Sequence, residues 1–181
     1  MPYHVFETAF GYCGIVWHED GVRHFMLPEH SYEKVEMRAK RYAAHSAHAL
    51  PSGKIADIVA AAKRYFAGER EDFQDVVLDL AGAASFNKAI YNALLQIPYG
   101  ATTTYGALAA EAGFPGAARE TGAALGANPL PLLIPCHRVL GAGGQLGGFS
   151  APGGKATKQK MLALEHATPP AADPAQTSFT F

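Results

Sequence analysis

Cys136 and His137 stand side by side after the apolar run Leu132-Leu133-Ile134, flanked by Pro135 on one side and Arg138 and Val139 on the other. A thiol is a weak nucleophile until it loses its proton, and an imidazole held in orientation by a third group is the usual aid. Two adjacent residues of these types are by themselves more often a buried thiol next to a structural histidine than a catalytic unit. The surroundings shift the balance toward a reactive cysteine. Asn128-Pro129-Leu130-Pro131 leads into the apolar run, and Gly141-Ala142-Gly143-Gly144 and Gly147-Gly148-Phe149-Ser150 follow it. That much glycine does not pack as a core element, and it lets backbone approach a ligand closely. The expected picture is a cysteine at the end of a buried strand, on the floor of a pocket. A zinc module built from Cys13 with His4, His18 or His24 is a further candidate, but the spacing matches no four-ligand pattern. Cys13 therefore reads as a small buried strand residue, and neither a metal nor another cofactor is expected.

The elements that must position this chemistry fall into two groups. Residues 3–27 alternate apolar and polar side chains around Glu19-Asp20-Gly21, the pattern of an antiparallel hairpin. Helical spacing follows from about Tyr32 to His48, and again from Ser52 to Ala67, where Ile55, Ile58, Val59, Ala62 and Phe66 share a face and Ser52 suits the cap. Val76–Leu80 reads as a short strand, and Ala81-Gly82-Ala83-Ala84 as a boundary. Nothing in this first half assembles into a reactive group. Beyond it the composition turns helical. Ser85 suits the cap of a helix through Ile90, Tyr91, Leu94 and Leu95, stopped before Pro98. Tyr105–Ala112, a turn at Gly113 and a second helix from about Pro115 to Gly126 have the layout of a helix-turn-helix. Small residues surround Arg119 on that second helix, so it either approaches another surface closely or packs inside the protein with Arg119 in solvent. The fold class expected is α+β: a small antiparallel-sheet and helix domain over 1–84, then a mainly helical domain with a helix-turn-helix over 85–166. A loose tail is expected at 167–181, where prolines replace apolar residues.

Composition narrows the function classes. At 181 residues the chain can bury a sizeable core. No run approaches a membrane span, and no charged-then-apolar leader is recognisable. Two cysteines make no disulfide framework, and a free reactive thiol suits the reducing cytoplasm. The net charge of −1 argues against a generally basic nucleic-acid coat, but residues 1–84 carry −3 and residues 85–166 carry +3. The half holding Cys136 is the positive one, which is compatible with a DNA-facing surface.

The second half resembles the O6-alkylguanine-DNA alkyltransferases, the methylated-DNA protein-cysteine methyltransferases, of bacterial type. The resemblance rests on Ile97-Pro98-Tyr99-Gly100, Thr104-Tyr105-Gly106, Ala117-Ala118-Arg119, Asn128-Pro129, Pro135-Cys136-His137-Arg138-Val139, Gly147-Gly148-Phe149-Ser150 and the segment Lys158 to Glu165. It is looser in the first half, at Gly14-Ile15, Tyr65-Phe66-Ala67-Gly68 and Asp79-Leu80. It implies a single-use repair protein in which Cys136 takes the alkyl group from O6 of a damaged guanine and keeps it as a thioether. By the same resemblance His137 draws the thiol proton through a water, Glu165 holds the imidazole, Tyr105 donates a hydrogen bond to the departing base, and Asn128 ties the turn after the recognition helix to the cysteine segment. Pro131, Val139, Phe149 and Ser150 form the guanine pocket, with backbone groups reading the base edge. Thr104, Tyr105, Ala118 and Arg119 meet the DNA, Arg119 filling the stack that a flipped nucleotide leaves. The expected partner is double-stranded DNA containing alkylated bases, met by a monomer.

Three departures from the family pattern stand out: Glu120-Thr121 after Arg119 and Gly126 in place of a basic residue, which bear on DNA affinity, and Phe149 in place of tyrosine, which removes a hydroxyl from the pocket loop but keeps the aromatic wall. Two other functions compete. A damage sensor would flip the lesion without repairing it, though such relatives usually replace the cysteine. A thiol hydrolase would use Cys136, His137 and Glu165 on an acyl substrate, though no oxyanion hole is identifiable.

Overall fold

In the computed structural model, which describes residues 1–44 and 46–167, the chain begins with three antiparallel strands: β1 (Tyr3–Thr8), β2 (Gly11–His18) and β3 (Gly21–Glu29), in the order β1-β2-β3. The expected hairpin closes at the Glu19-Asp20 turn, with His18 paired to Gly21. A second hairpin precedes it. Gly11 turns the chain at a φ of 123°, and a Cβ there would stand 2.7 Å from the Glu29 carbonyl oxygen, so this turn needs glycine. Helix α1 (Tyr32–Tyr42) is capped by Ser31, whose hydroxyl accepts from the Lys34 amide. It stops at Tyr42 instead of running on to His48, and Ala44 has left-handed backbone. Its buried residues Val35 and Ala39 pack with Tyr3, Val5, Val16 and Met26 on one face of the sheet.

Helix α2 (Gly53–Phe66) lies against the other core and buries Ile58, Val59, Ala62, Tyr65 and Phe66. Ser52 is the N-cap residue, but its side chain makes no capping bond. Gly68, at a φ of 94°, ends the helix: its amide donates to the Tyr65 carbonyl, and the Glu69 amide donates to that of Arg64. The expected strand Val76–Leu80 does not form. Only a parallel bridge between Val22 and Leu78 exists, because Asp79 turns its carboxylate to the Ala81 amide and to Arg23, diverting the chain after one rung.

Helix α3 (Ser85–Leu94) starts one residue earlier than a Ser85 cap would allow, with Ala84 in the cap position. Two short strands, β4 (Thr103–Thr104) and β5 (Val139–Leu140), pair in parallel, an element the sequence pattern does not announce. Helix α4 (Tyr105–Glu111) is capped by the Thr104 hydroxyl, which accepts from the Ala107 amide. Gly113 ends it, with the Phe114 amide reaching back to the Ala109 carbonyl. Helix α5 (Ala118–Gly126) begins three residues later than the pattern suggests, since Phe114-Pro115-Gly116 forms a turn with Gly116 at a φ of 88°. Helix α6 (Lys155–Leu164) closes the described structure. A sheet and two helices followed by four helices is the α+β arrangement expected. One buried cluster runs through both halves, from Phe6, Ile15 and Tyr65 to Tyr91, Leu133 and Met161. The tail expected at 167–181 lies, from residue 168 on, outside the described residues.

Candidate active site and nucleic-acid interface

The segment entering the site is not the buried strand expected. Proline at 131 and 135 lacks the amide hydrogen a strand ladder needs, and the chain instead folds back on itself. The Ile134 amide donates to the Leu130 carbonyl at 2.8 Å, and Leu132 sits fully buried at a φ of 81°. A branched side chain in left-handed backbone is strained by about 1–3 kcal/mol and must be held there by its surroundings. Asn128 provides part of that hold. Its amide nitrogen donates to the Ile134 carbonyl at 3.0 Å, and its side-chain oxygen accepts from the Leu130 amide at 3.0 Å. Asn128, two residues beyond the end of α5, thus ties the recognition-helix layout to the cysteine segment.

Cys136, His137 and Arg138 then form one 3-10 turn, which sends the three side chains in different directions. Cys136 is 6% exposed and lies in the lining of an open cavity of about 830 Å³. Thr104, Tyr105, Ala118, Arg119, Phe149 and Ser150 line the same cavity. Residues from α4, α5 and the glycine-rich loop therefore meet at the thiol. Glu120 is exposed and absent from that lining, so the acidic departure faces away and sits in the first turn of α5, where the helix dipole favours it. Gly126 lines the cavity, and a Cβ there would meet nothing within 4 Å, leaving that wall open. At Gly147 the reverse holds. A Cβ would stand 2.6 Å from the Tyr105 hydroxyl, so the loop closes on Tyr105 only because this residue is glycine.

Phe149 and Ser150 line two adjoining spaces, and Pro131 lines only the smaller of them. Phe149 and Ser150 line the main cavity, and the Ser150 hydroxyl donates to the Gly126 carbonyl at 3.1 Å. Pro131 lines a smaller adjoining space of about 370 Å³ that also reaches Cys136. The Val139 side chain is buried in the core and lines neither space; its amide donates to the Cys136 carbonyl and its carbonyl accepts from the Lys158 ammonium.

Behind the thiol is a buried charged network. The His137 Nε2 hydrogen is donated to Glu165 Oε1 at 2.7 Å, and both side chains are fully shielded from solvent. Arg138 grips the same carboxylate twice, from Nε to Oε2 at 2.9 Å and from Nη2 to Oε1 at 3.1 Å, and donates to the Ile97 carbonyl at 2.7 Å. The Gly100 amide donates to Oε2 at 3.1 Å, and the Tyr65 hydroxyl to Oε1 at 2.9 Å. Glu165 is held at the end of α6 by His166 in left-handed backbone, with the His166 and Ala167 amides returning to Ala163 and Leu162.

The electrostatics follow from this packing. Burial alone would raise the Glu165 carboxyl, but the hydrogen bonds from His137 and Arg138 and the guanidinium charge of Arg138 outweigh it and hold the group at about 2. Burial lowers the His137 imidazole against the pull of Glu165, so the ring rests neutral. With Nε2 carrying the proton, Nδ1 keeps its lone pair, and Nδ1 is a buried atom with no protein partner among the described residues. Burial raises the Cys136 thiol, while the Asn128 amide and the Lys158 ammonium work against that rise. The resting pair is a protonated thiol beside an imidazole able to accept a proton. Tyr105 is also raised by burial and so keeps its hydroxyl hydrogen as a donor.

Sequence reasoning missed four contributors: Tyr65, the Gly100 amide, Arg138 and Lys158. Arg138 and Lys158 both fall within the quoted stretches, and a cation placed among apolar residues signals a buried partner. Lys158 is 1% exposed and sits 5.8 Å and 5.9 Å from the ring centres of Tyr105 and Phe149. Tyr65 corrects the expectation that the first half assembles no chemistry, since that half supplies a direct hydrogen bond to the site carboxylate.

A family model described as the 6-O-methylguanine DNA methyltransferase DNA-binding domain matches residues 85–167. The Mycobacterium bovis methylated-DNA–protein-cysteine methyltransferase is 43% identical over 172 residues, covering 94% of this chain and 96% of its own length. The chain belongs to the methylated-DNA–protein-cysteine methyltransferase family. A Methanothermobacter thermautotrophicus member is 34% identical over 84% of the chain and 78% of its own length. The Mycobacterium tuberculosis OGT crystal structure in complex with DNA superposes with a TM-score of 0.72 at 36% identity, covering 91% of this chain and 92% of that one. That similarity spans both halves, so the family fold includes the N-terminal sheet as well as the matched DNA-binding domain.

Proposed function

We propose that this methyltransferase repairs alkylated DNA by moving the alkyl group from O6 of guanine to Cys136, once and irreversibly. The observation that carries the reading is the cavity in which Cys136, Tyr105 and Arg119 meet, backed by a neutral His137 whose Nδ1 lone pair is free. His137 takes the thiol proton through a bridging water. The sulfur attacks the alkyl carbon in line with O6, the S–C bond forms as the C–O6 bond breaks, and the electron pair leaves with the guanine. Tyr105 donates a hydrogen bond to the departing base, which lowers the charge the leaving group must carry. Glu165 stabilises the imidazolium formed at His137 without taking its proton, because Arg138, Gly100 and Tyr65 already hold it as a carboxylate.

A stacked base is out of reach of an in-line attack, so the damaged nucleotide rotates out into the cavity. Arg119 fills the vacated stack, with Ala118 and Thr104 at the DNA surface and glycine and alanine on α5 permitting close approach to the minor groove. Pro131, Phe149 and Ser150 wall the extruded base, and Val139 and Ser150 read its edge through backbone groups. In domain terms, 1–84 frames the site and 85–166 binds DNA and carries the thiol. Among the described residues no helix is long and apolar enough to cross a membrane, and a free reactive thiol with double-stranded DNA as partner suits a cytoplasmic monomer.

The test is intact and peptide mass spectrometry after incubation with a duplex carrying O6-methylguanine, beside an undamaged control. One added methyl on the Cys136 peptide, saturating at one per molecule with guanine restored, is the expected result. Lesion-selective binding without a mass change would identify a damage sensor, and turnover of an ester through an acyl-cysteine would identify a hydrolase. A second prediction isolates base flipping. Arg119→Ala slows repair of a duplex lesion roughly tenfold or more, about 1.4 kcal/mol of the few that unstacking costs, and leaves reaction with a free O6-benzylguanine base nearly unchanged. Equal slowing of both would remove Arg119 from the flipping step.

A further inference from the structure

Among the described residues, the one side chain that the N-terminal half sends to the site carboxylate is Tyr65, and we propose that it is a positioning residue for the transfer reaction, setting through Glu165 the proton affinity of His137. The inference rests on the reading of Cys136 and His137 given above and extends the machinery to a part of the chain outside the DNA-binding domain.

The geometry makes Tyr65 a donor and nothing else. Its hydroxyl lies 2.9 Å from Glu165 Oε1 and 3.4 Å from His137 Nε2. Since Nε2 gives its own hydrogen to Oε1, the Tyr65 hydroxyl and the imidazole compete for one oxygen, which also accepts from Arg138 Nη2. A carboxylate offers about four lone-pair directions, and five hydrogen bonds converge on this one. Each donor draws electron density from the oxygens and weakens the pull on the others. Tyr65 therefore reduces the negative charge that Glu165 presents to the imidazole, and a His137 that is less drawn to the carboxylate is less readily protonated at rest.

The fold places this hydroxyl tightly. Tyr65 is 1% exposed, lies in the last turn of α2 and packs edge-on against Phe66, Phe73 and Tyr99. Gly68 terminates the helix directly after it, with Leu164 of α6 at contact distance from where a Cβ would stand. Burial and the neighbouring carboxylate push the Tyr65 hydroxyl far above its ordinary range, so it stays protonated at every relevant pH. The other charged or titratable groups around His137 are Glu165 and Lys158 on α6, and Arg138 and Cys136 on its own turn, with Tyr99 behind Arg138.

Tyr65→Phe keeps the ring and removes only the donor. The measurement is the single-turnover rate of methyl transfer from an O6-methylguanine duplex to the full chain between pH 5 and 9, with the His137 imidazole followed by nitrogen NMR and the melting temperature recorded. His137 must be neutral to accept the thiol proton, so the rate falls as pH drops through its pKa. Without Tyr65 the carboxylate holds the imidazolium more strongly, and the acid limb moves to higher pH by about half to one unit, together with the imidazole titration. A merely structural tyrosine would slow transfer equally at all pH values, with a lower melting temperature and no shift of the limb, and that result overturns the proposal. So does a variant whose rate and pH profile match the parent's. If the parent chain itself transfers no methyl group, the reading of Cys136 fails first, and the failure is separable because it appears without any substitution.

Discussion

Cys136→Ser leaves a folded protein that still binds lesion-bearing duplex but transfers no methyl group, and this is the largest effect expected of any single substitution. The oxygen is smaller than sulfur and keeps its proton far more strongly, and a neutral hydroxyl does not displace an alkoxide-like leaving group from saturated carbon at neutral pH. Cys136 is one residue of a cavity whose remaining wall is supplied by α4, α5 and the glycine-rich loop, so the binding surface survives the change. Peptide mass spectrometry with a lesion duplex, paired with a gel-shift titration, reads both halves of the expectation. Retained transfer would mean that another nucleophile does the chemistry; lost binding together with lost transfer would mean that the thiol is structural.

Glu165→Gln is expected to damage stability and activity together. Arg138 is 8% exposed, and its guanidinium is neutralised by this one carboxylate through two hydrogen bonds. Removing one partner of a buried ion pair leaves the other charge uncompensated, at a cost of about 3–5 kcal/mol. For a chain of this size that lowers the melting temperature by on the order of 10 °C. The neutral amide also ceases to stabilise the imidazolium at His137, and transfer falls by about a hundredfold or more. Differential scanning calorimetry and single-turnover kinetics check the two effects separately, and a variant that melts within a degree of the parent would show that Arg138 finds another anion. Acid has a related effect. Because Glu165 is held at about 2 in the folded protein against about 4.3 when unfolded, its contribution to stability is complete above about pH 4.3 and is lost as pH falls toward 2.

Why the network tolerates so many charges is a question of satisfied partners. Glu165 accepts from two side chains of its own half of the molecule, from a backbone amide and from Tyr65 of the other half, and no oxygen is left without a donor. Lys158, equally buried, ends on the Val139 carbonyl and faces the rings of Tyr105 and Phe149. Within this network, and among the described residues, only His137 Nδ1 has no hydrogen-bond partner, at the position where the proposed reaction places a proton.

The sequence by itself determined the candidate pair Cys136 and His137 and most of the scaffold around it. Adjacent Cys136 and His137 between prolines and glycines, the turn at Gly113 and the small-residue helix around Arg119 are local signals, written in residue types that act over a few positions. The α+β order and the resemblance to the alkyltransferases follow from the same local text. What only the tertiary structure decided is everything that depends on distant chain segments meeting. The strand expected at Val76–Leu80 gives way to one bridge because Asp79 prefers Arg23, and the strand expected before Cys136 gives way to a folded-back turn because Asn128 binds both of its ends. The pairing of Thr103–Thr104 with Val139–Leu140 joins the helix-turn-helix to the cysteine turn across more than thirty residues. Tyr65 is the clearest case. It is a buried residue of α2 beside Phe66, but a hydrogen bond to a carboxylate a hundred positions along the chain leaves no periodic trace, since hydrogen bonds are set by where two segments come to rest and not by the spacing within either.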